Sequence, residues 1–91
     1  MPFGLNKQTL TIAPREDAGV SPGWVAHLET ALLGRAQVER IDIGLEVTMF
    51  GKPEVVRKRL SRALRSALGE GSEALFVIRD VPLAVRPARL D

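Results

Sequence analysis

Eleven residues in the middle of the chain, RIDIGLEVTMF (40–50), alternate between apolar and polar at every step but one. Ile41, Ile43, Leu45, Val47 and Met49 fall on one side, and Arg40, Asp42, Gly44, Glu46 and Thr48 on the other. A period of two held over this length specifies a strand with one buried face and one wet face. Such a strand needs a covering layer, so the remaining sequence must supply further strands and something to pack on them. KQTLTIA (7–13) is a shorter candidate, with Leu10 and Ile12 inward and Pro14 ending it. ALFVI (74–78) is continuously apolar, as expected for a strand covered on both sides or in the middle of a sheet, and LAVR (83–86) follows a turn at 79–82 as a short last strand.

Two segments carry the helical period instead. The first opens on Ser21 as N-cap with Pro22 at the first helical position. Trp24, Leu28, Ala31 and Leu32 then recur at helical spacing, and Gly34 supplies a stop. The second runs from Pro53 to Gly69, with Val56, Leu60, Ala63, Leu64 and Ala67 in one stripe. Opposite that stripe lie Lys58, Arg62 and Arg65, with Arg57 and Arg59 on the shoulders. Glu54 stands one turn before Lys58, in position to pair with it.

The order strand, helix, strand, helix, strand, strand predicts a two-layer α/β (α+β) sandwich, with two helices on one face of a four-stranded sheet and the other face open. Ninety-one residues (1–91) are read as a single domain, which buries about 60 to 65% of the surface its unfolded chain exposes. Hydrophobic residues at 45% against 26% charged ones give a globular balance rather than a disordered one. No apolar run approaches the roughly 18 to 20 residues that span a bilayer, and no leader pattern opens the chain, so the expected compartment is the cytoplasm and no membrane partner is expected. With no cysteine and one histidine, disulfides, thiolate nucleophiles and Cys/His metal clusters are excluded.

Charge is distributed unevenly. Residues 1–50 hold four basic and six acidic side chains, residues 51–91 nine and five, so the halves carry −2 and +4. The stretch VVRKRLSRALRSAL (55–68) holds five of those cations and no acid. Lys58, Arg62 and Arg65 at i, i+4 and i+7 form a line suited to successive phosphates, although the wet side of any amphipathic helix must be polar. Trp24 is read as the largest core residue rather than a base-stacking platform, and His27 as exposed. Asp42 and Glu46 are read as solvated charges beside Arg40. An enzyme using Pro2 as an amino-terminal base, or that carboxylate pair, has the least support: Phe3-Gly4-Leu5-Asn6 separates Pro2 from the first strand, and no nucleophile elbow, phosphate loop or metal spacing occurs.

From residues 5 to 87 the chain resembles the CRM domain, a small RNA-binding module associated with ribosome maturation and intron splicing. The resemblance rests on LNKQTLTIA, on GVSPGWVAHLETAL, and on FVIRDVPLAVRP with its closing Arg86 and Pro87. The element order is also similar to that of the C-terminal domain of translation initiation factor three and of Alba proteins. The resemblance implies that the loop of residues 14–23 approaches RNA, with Gly19 standing at one of the family's loop glycines and Glu16 at the other.

The sequence thus reads as a non-enzymatic RNA-binding module, with ribosomal RNA as the target the resemblance suggests and no cofactor or metal. Lys58, Arg62 and Arg65 are the candidate phosphate contacts, joined by Arg15 in the first loop and by Arg79 and Arg86 in the last two strands. The alternative is a protein-interaction or homo-oligomeric assembly domain that uses the open sheet face or an edge strand.

Overall fold

The computed structural model describes residues 7–81. Its elements are β1 (Lys7–Pro14), α1 (Trp24–Leu32), β2 (Gln37–Ile41), β3 (Gly44–Phe50), α2 (Pro53–Leu68), a short 3-10 turn (Ser72–Leu75) and β4 (Phe76–Asp80). The strands form one antiparallel sheet in the order β2-β3-β1-β4. The mixed α/β class, two helices and a four-stranded sheet are as the sequence indicates; the expected strand at 83–86 lies outside the described residues, as does Pro2.

Register fixes the faces. Leu10 pairs with Val47 and Ile12 with Leu45, and all four are buried. Across the sheet, Val38 opposes Val47 and Ile78 opposes Ile12, so this face runs through all four strands. It packs against Trp24, Leu28 and Leu32 of α1 and Val56, Leu60 and Leu64 of α2 in one cluster. Both helices therefore cover the same side of the sheet, because each has its apolar residues in a single stripe. Truncating a fully buried leucine such as Leu60 removes about 2 to 5 kcal/mol from a core of this kind. Trp24 is 7% exposed, with its ring centroid 4.9 Å from that of Phe76, so it is a core residue as read from sequence.

The alternating segment 40–50 departs from its expected form. It is a hairpin rather than one strand: Ile41 pairs with Gly44 around Asp42 and Ile43. The reversal exchanges faces, so Arg40 joins the helix-covered side opposite Leu45, Ile41 turns to the open side, and Ile43 is 62% exposed at the tip. Gly44 is required there, since a Cβ on it would lie 2.1 Å from the Ile12 carbonyl oxygen. Two helix and strand starts also move. Ser21 accepts the Gly23 amide on its hydroxyl at 3.3 Å and the Trp24 amide on its carbonyl at 3.0 Å, forming a turn that delays α1 to Trp24. Ala74 and Leu75 belong to the 3-10 turn, and β4 lies at the sheet's edge among the described residues rather than in its middle. The turn is tied down by the buried Ser72 hydroxyl, which donates to the Leu64 carbonyl at 3.0 Å.

Among the described residues, no helix is long and apolar enough to cross a membrane. The close approach at Gly44 yields a specific expectation. Gly44→Ala forces strand backbone apart and should destabilise the fold by about 1 to 3 kcal/mol, read as a lower midpoint in urea unfolding; an unchanged midpoint contradicts the packing described for the hairpin.

Candidate nucleic-acid interface

α2 presents the largest concentration of charge in the molecule. Pro53 at its start, Glu54 in the first turn, Arg65 in the last and Gly69 at φ +104° just beyond it frame a helix with matched ends. With its apolar stripe facing the sheet, Arg57, Lys58, Arg59 and Arg62 are exposed and Arg65 is half-buried. These cations divide according to what they touch.

Some hold the fold. Arg65 donates to Glu73 Oε2 at 3.0 Å, joining the end of α2 to the 3-10 turn. Arg57 donates to the Ile78 carbonyl at 3.2 Å and lies 3.7 Å from Asp80, tying the helix to the outer strand. Arg15 uses its Nε to donate to the Ala74 carbonyl at 3.0 Å, which anchors the first loop to the same turn. Arg40 grips Glu29 of α1 through two bonds of 3.0 and 2.7 Å, as its place on the helix-covered face requires.

Others are uncommitted. Among the described residues, the side chains of Lys58, Arg62 and Arg35 make no hydrogen bond or ion pair, and Glu54 does not pair with Lys58 despite the favourable spacing. Arg59 reaches only the Phe50 carbonyl, at 3.5 Å. Arg62 is the centre of this group. On one flank it shares a shallow depression with Arg57, Lys58, Ser61, Arg65 and Glu73. On the other it borders a deeper cleft of about 500 Å3, lined by Ala31, Leu32, Arg35, Met49, Arg59, Arg62, Ala63 and Ser66.

The sequence-predicted residues do not all converge. Lys58, Arg62 and Arg65 share α2, but Arg65 is engaged with Glu73. Arg79 pairs in register with Thr11, one step from the inward Ile12–Ile78 pair, so it belongs to the open face and stands apart from the helix layer. Gly19 has φ +70°, with open space where a Cβ would stand, so its role is a left-handed backbone conformation. Arg86 lies outside the described residues. Arg35 and Arg59 stand outside the set of phosphate contacts that the sequence indicates. Arg59 is in the same cationic run, whereas Arg35 follows the reversal at Gly34 (φ +78°) and gives no local signal.

Other chemistry is sparse. His27 is exposed, and the described residues contain no group of three or more His, Cys, Asp or Glu side chains arranged to hold a metal ion. Glu39 and Glu46 oppose one another across β2 and β3, while Asp42 sits in the hairpin turn, so the Asp42–Glu46 spacing along one strand is not retained. No family model, curated protein or solved structure matches the chain.

The two carboxylates in the tightest ion pairs are acidified. A hydrogen bond from its own backbone amide, followed by one from Arg65, holds Glu73 below its ordinary 4.5. Hydrogen bonding from Arg40 does the same for Glu29, and Glu29 in turn raises Arg40. A lowered carboxylate pKa favours the folded state fully above the ordinary value, and the advantage is lost as pH falls through the lowered one. Thermal stability should therefore decline on acidification below about pH 4.5, and less steeply in the Glu29→Gln/Glu73→Gln variant, which should already be less stable at neutral pH. Parallel acid profiles for the two proteins contradict these assignments.

Proposed function

We propose that this protein is a non-enzymatic RNA-binding module of the cytoplasm that meets the phosphate backbone with the outer ridge of α2, and that structured or single-stranded ribosomal RNA is its target class. The observation that carries this reading is the cluster of uncommitted Lys58, Arg62 and Arg35 on the helix layer, joined by Arg59 with its single long 3.5 Å bond to the Phe50 carbonyl, beside which several other cations are absorbed by carboxylates or carbonyls. A polyanion exchanges bound counterions for such side chains, which requires exposed cations without strong internal partners. The sequence resemblance to CRM domains leads to the same ligand class. It implies that the loop holding Gly19 approaches the nucleic acid; Arg15 of the same loop already serves the fold.

The assembly alternative draws less support. The centre of the open sheet face is polar, with the hydroxyls of Thr9 and Thr48 3.0 Å apart. Its exposed apolar side chains, Ile43 and Phe50, stand at opposite ends of β3.

RNA titrations at two or more salt concentrations test the proposal. Affinity should fall with salt at a slope of about 0.7 to 0.9 per neutralised phosphate. Lys58→Glu/Arg62→Glu should lower both affinity and slope, whereas Arg79→Glu, on the far side of the sheet, should change them little. Absence of binding at about 50 mM salt, or equal losses from the two variants, overturns the ridge as the contact surface.

A further inference from the structure

The cleft beside the ridge has a construction that phosphate neutralisation alone does not call for. Arg59, Arg62, Ala63 and Ser66 fall on one stripe of α2, and Ala31 and Arg35 approach from the end of α1. Alanines where the helices face each other leave a gap, and the gap reaches down to Leu32 and Met49, both members of the core. The result is a cleft of about 500 Å3 with Ala31 and Ala63 above the nearly buried Leu32 and Met49, under a rim of three guanidinium groups and with no carboxylate in the lining. That volume lies within the roughly 300 to 1,000 Å3 that holds small organic ligands.

Such a site selects for two properties in one ligand. The planar guanidinium forks match the oxygens of a phosphate and also stack on flat rings. The apolar lining favours a flat, poorly hydrated group and gives no advantage to phosphate by itself. A nucleotide has both, provided its base is unstacked; in a duplex, the base faces are covered by their neighbours. We infer that this cleft takes one nucleotide of a single strand, its phosphate on Arg35, Arg59 and Arg62 and its base against Ala31 and Ala63, above Leu32 and Met49. The inference deepens the RNA-binding reading by adding a base-contacting subsite, and it separates from that reading in the laboratory because Arg35 belongs to the cleft and not to the ridge of α2.

The test follows chemical shifts of the full-length chain during titration with adenosine monophosphate, uridine monophosphate, ribose 5-phosphate and inorganic phosphate. It is paired with titration of a single-stranded oligoribonucleotide and its abasic counterpart. Mononucleotides should perturb residues 31–35 and 59–66 and bind about tenfold or more tightly than ribose phosphate or phosphate, as expected when a base gains a contact surface. Arg35→Glu, an exposed substitution, should weaken mononucleotide binding by a similar factor, while Arg79→Glu, on the open sheet face, should leave it within about twofold. The oligonucleotide should lose affinity when made abasic. Equal affinity for mononucleotides and phosphate, or indifference to Arg35→Glu, overturns the subsite, and it does so even if the oligonucleotide still binds in a manner sensitive to Lys58 and salt. Mononucleotide binding without oligonucleotide binding would uphold the cleft and remove the RNA reading; no binding by any probe removes both.

Discussion

Burial of one stripe of α2 sets the direction of almost everything else in this molecule. Val56, Leu60 and Leu64 have no solvent exposure and share a cluster with Leu10, Ile12, Leu45 and Val47 of the sheet. A helix held on that stripe cannot rotate without exposing large apolar side chains, at a cost of about 1.5 to 3 kcal/mol for each one. Its opposite side is thereby fixed toward solvent, with Arg62 near the middle of the cationic ridge. The same constraint positions the cleft, because α1 packs beside α2 on the same sheet face and small side chains lie where their outer surfaces meet.

The cations that hold the molecule together and those that remain spare differ in what the topology brings near them. The 3-10 turn carries Glu73 back to the end of α2 and engages Arg65, the hairpin reversal delivers Arg40 to Glu29, and β4 brings Asp80 within range of Arg57. No comparable carboxylate reaches Lys58, Arg62 or Arg35 among the described residues. Exposed ion pairs contribute little to stability. Their larger consequence is subtraction: they withdraw some arginines from outside ligands and leave a narrower contact surface than a count of charges implies.

This sorting explains how much could be read from the residues beforehand. The helices were legible because their 3.6-residue stripes coincide with the core, and β1 because Leu10 and Ile12 alternate into it. The hairpin was not: neither Asp42 nor Ile43 has a positive φ, so the Asn-Gly type of turn signal is absent and the apolar-polar alternation runs straight through. The apolar run at 74–78 concealed a 3-10 turn because Ala74 and Leu75 are equally compatible with strand. In the candidate site, the exposed line of Lys58 and Arg62 followed from helical geometry. Arg65's engagement did not, since Glu73 lies beyond the end of the helix and a further turn must fold it back. The cleft was still less visible, because it depends on an interhelical gap and on an arginine in a different loop.

Charge and shape then assign different tasks to adjoining parts of one surface. Within α2, five cations against Glu54 give +4, although the whole chain carries only +2; the rest of the chain therefore sums to −2. A field concentrated on one element attracts a polyanion and orients it toward the helix layer, and this attraction weakens as salt shortens its range. Contact of a base with the apolar lining of the cleft would instead be short-ranged and far less sensitive to salt. Under the proposed reading, the ridge would govern encounter and total affinity and the cleft would distinguish an unstacked strand from a duplex; Arg62 borders both.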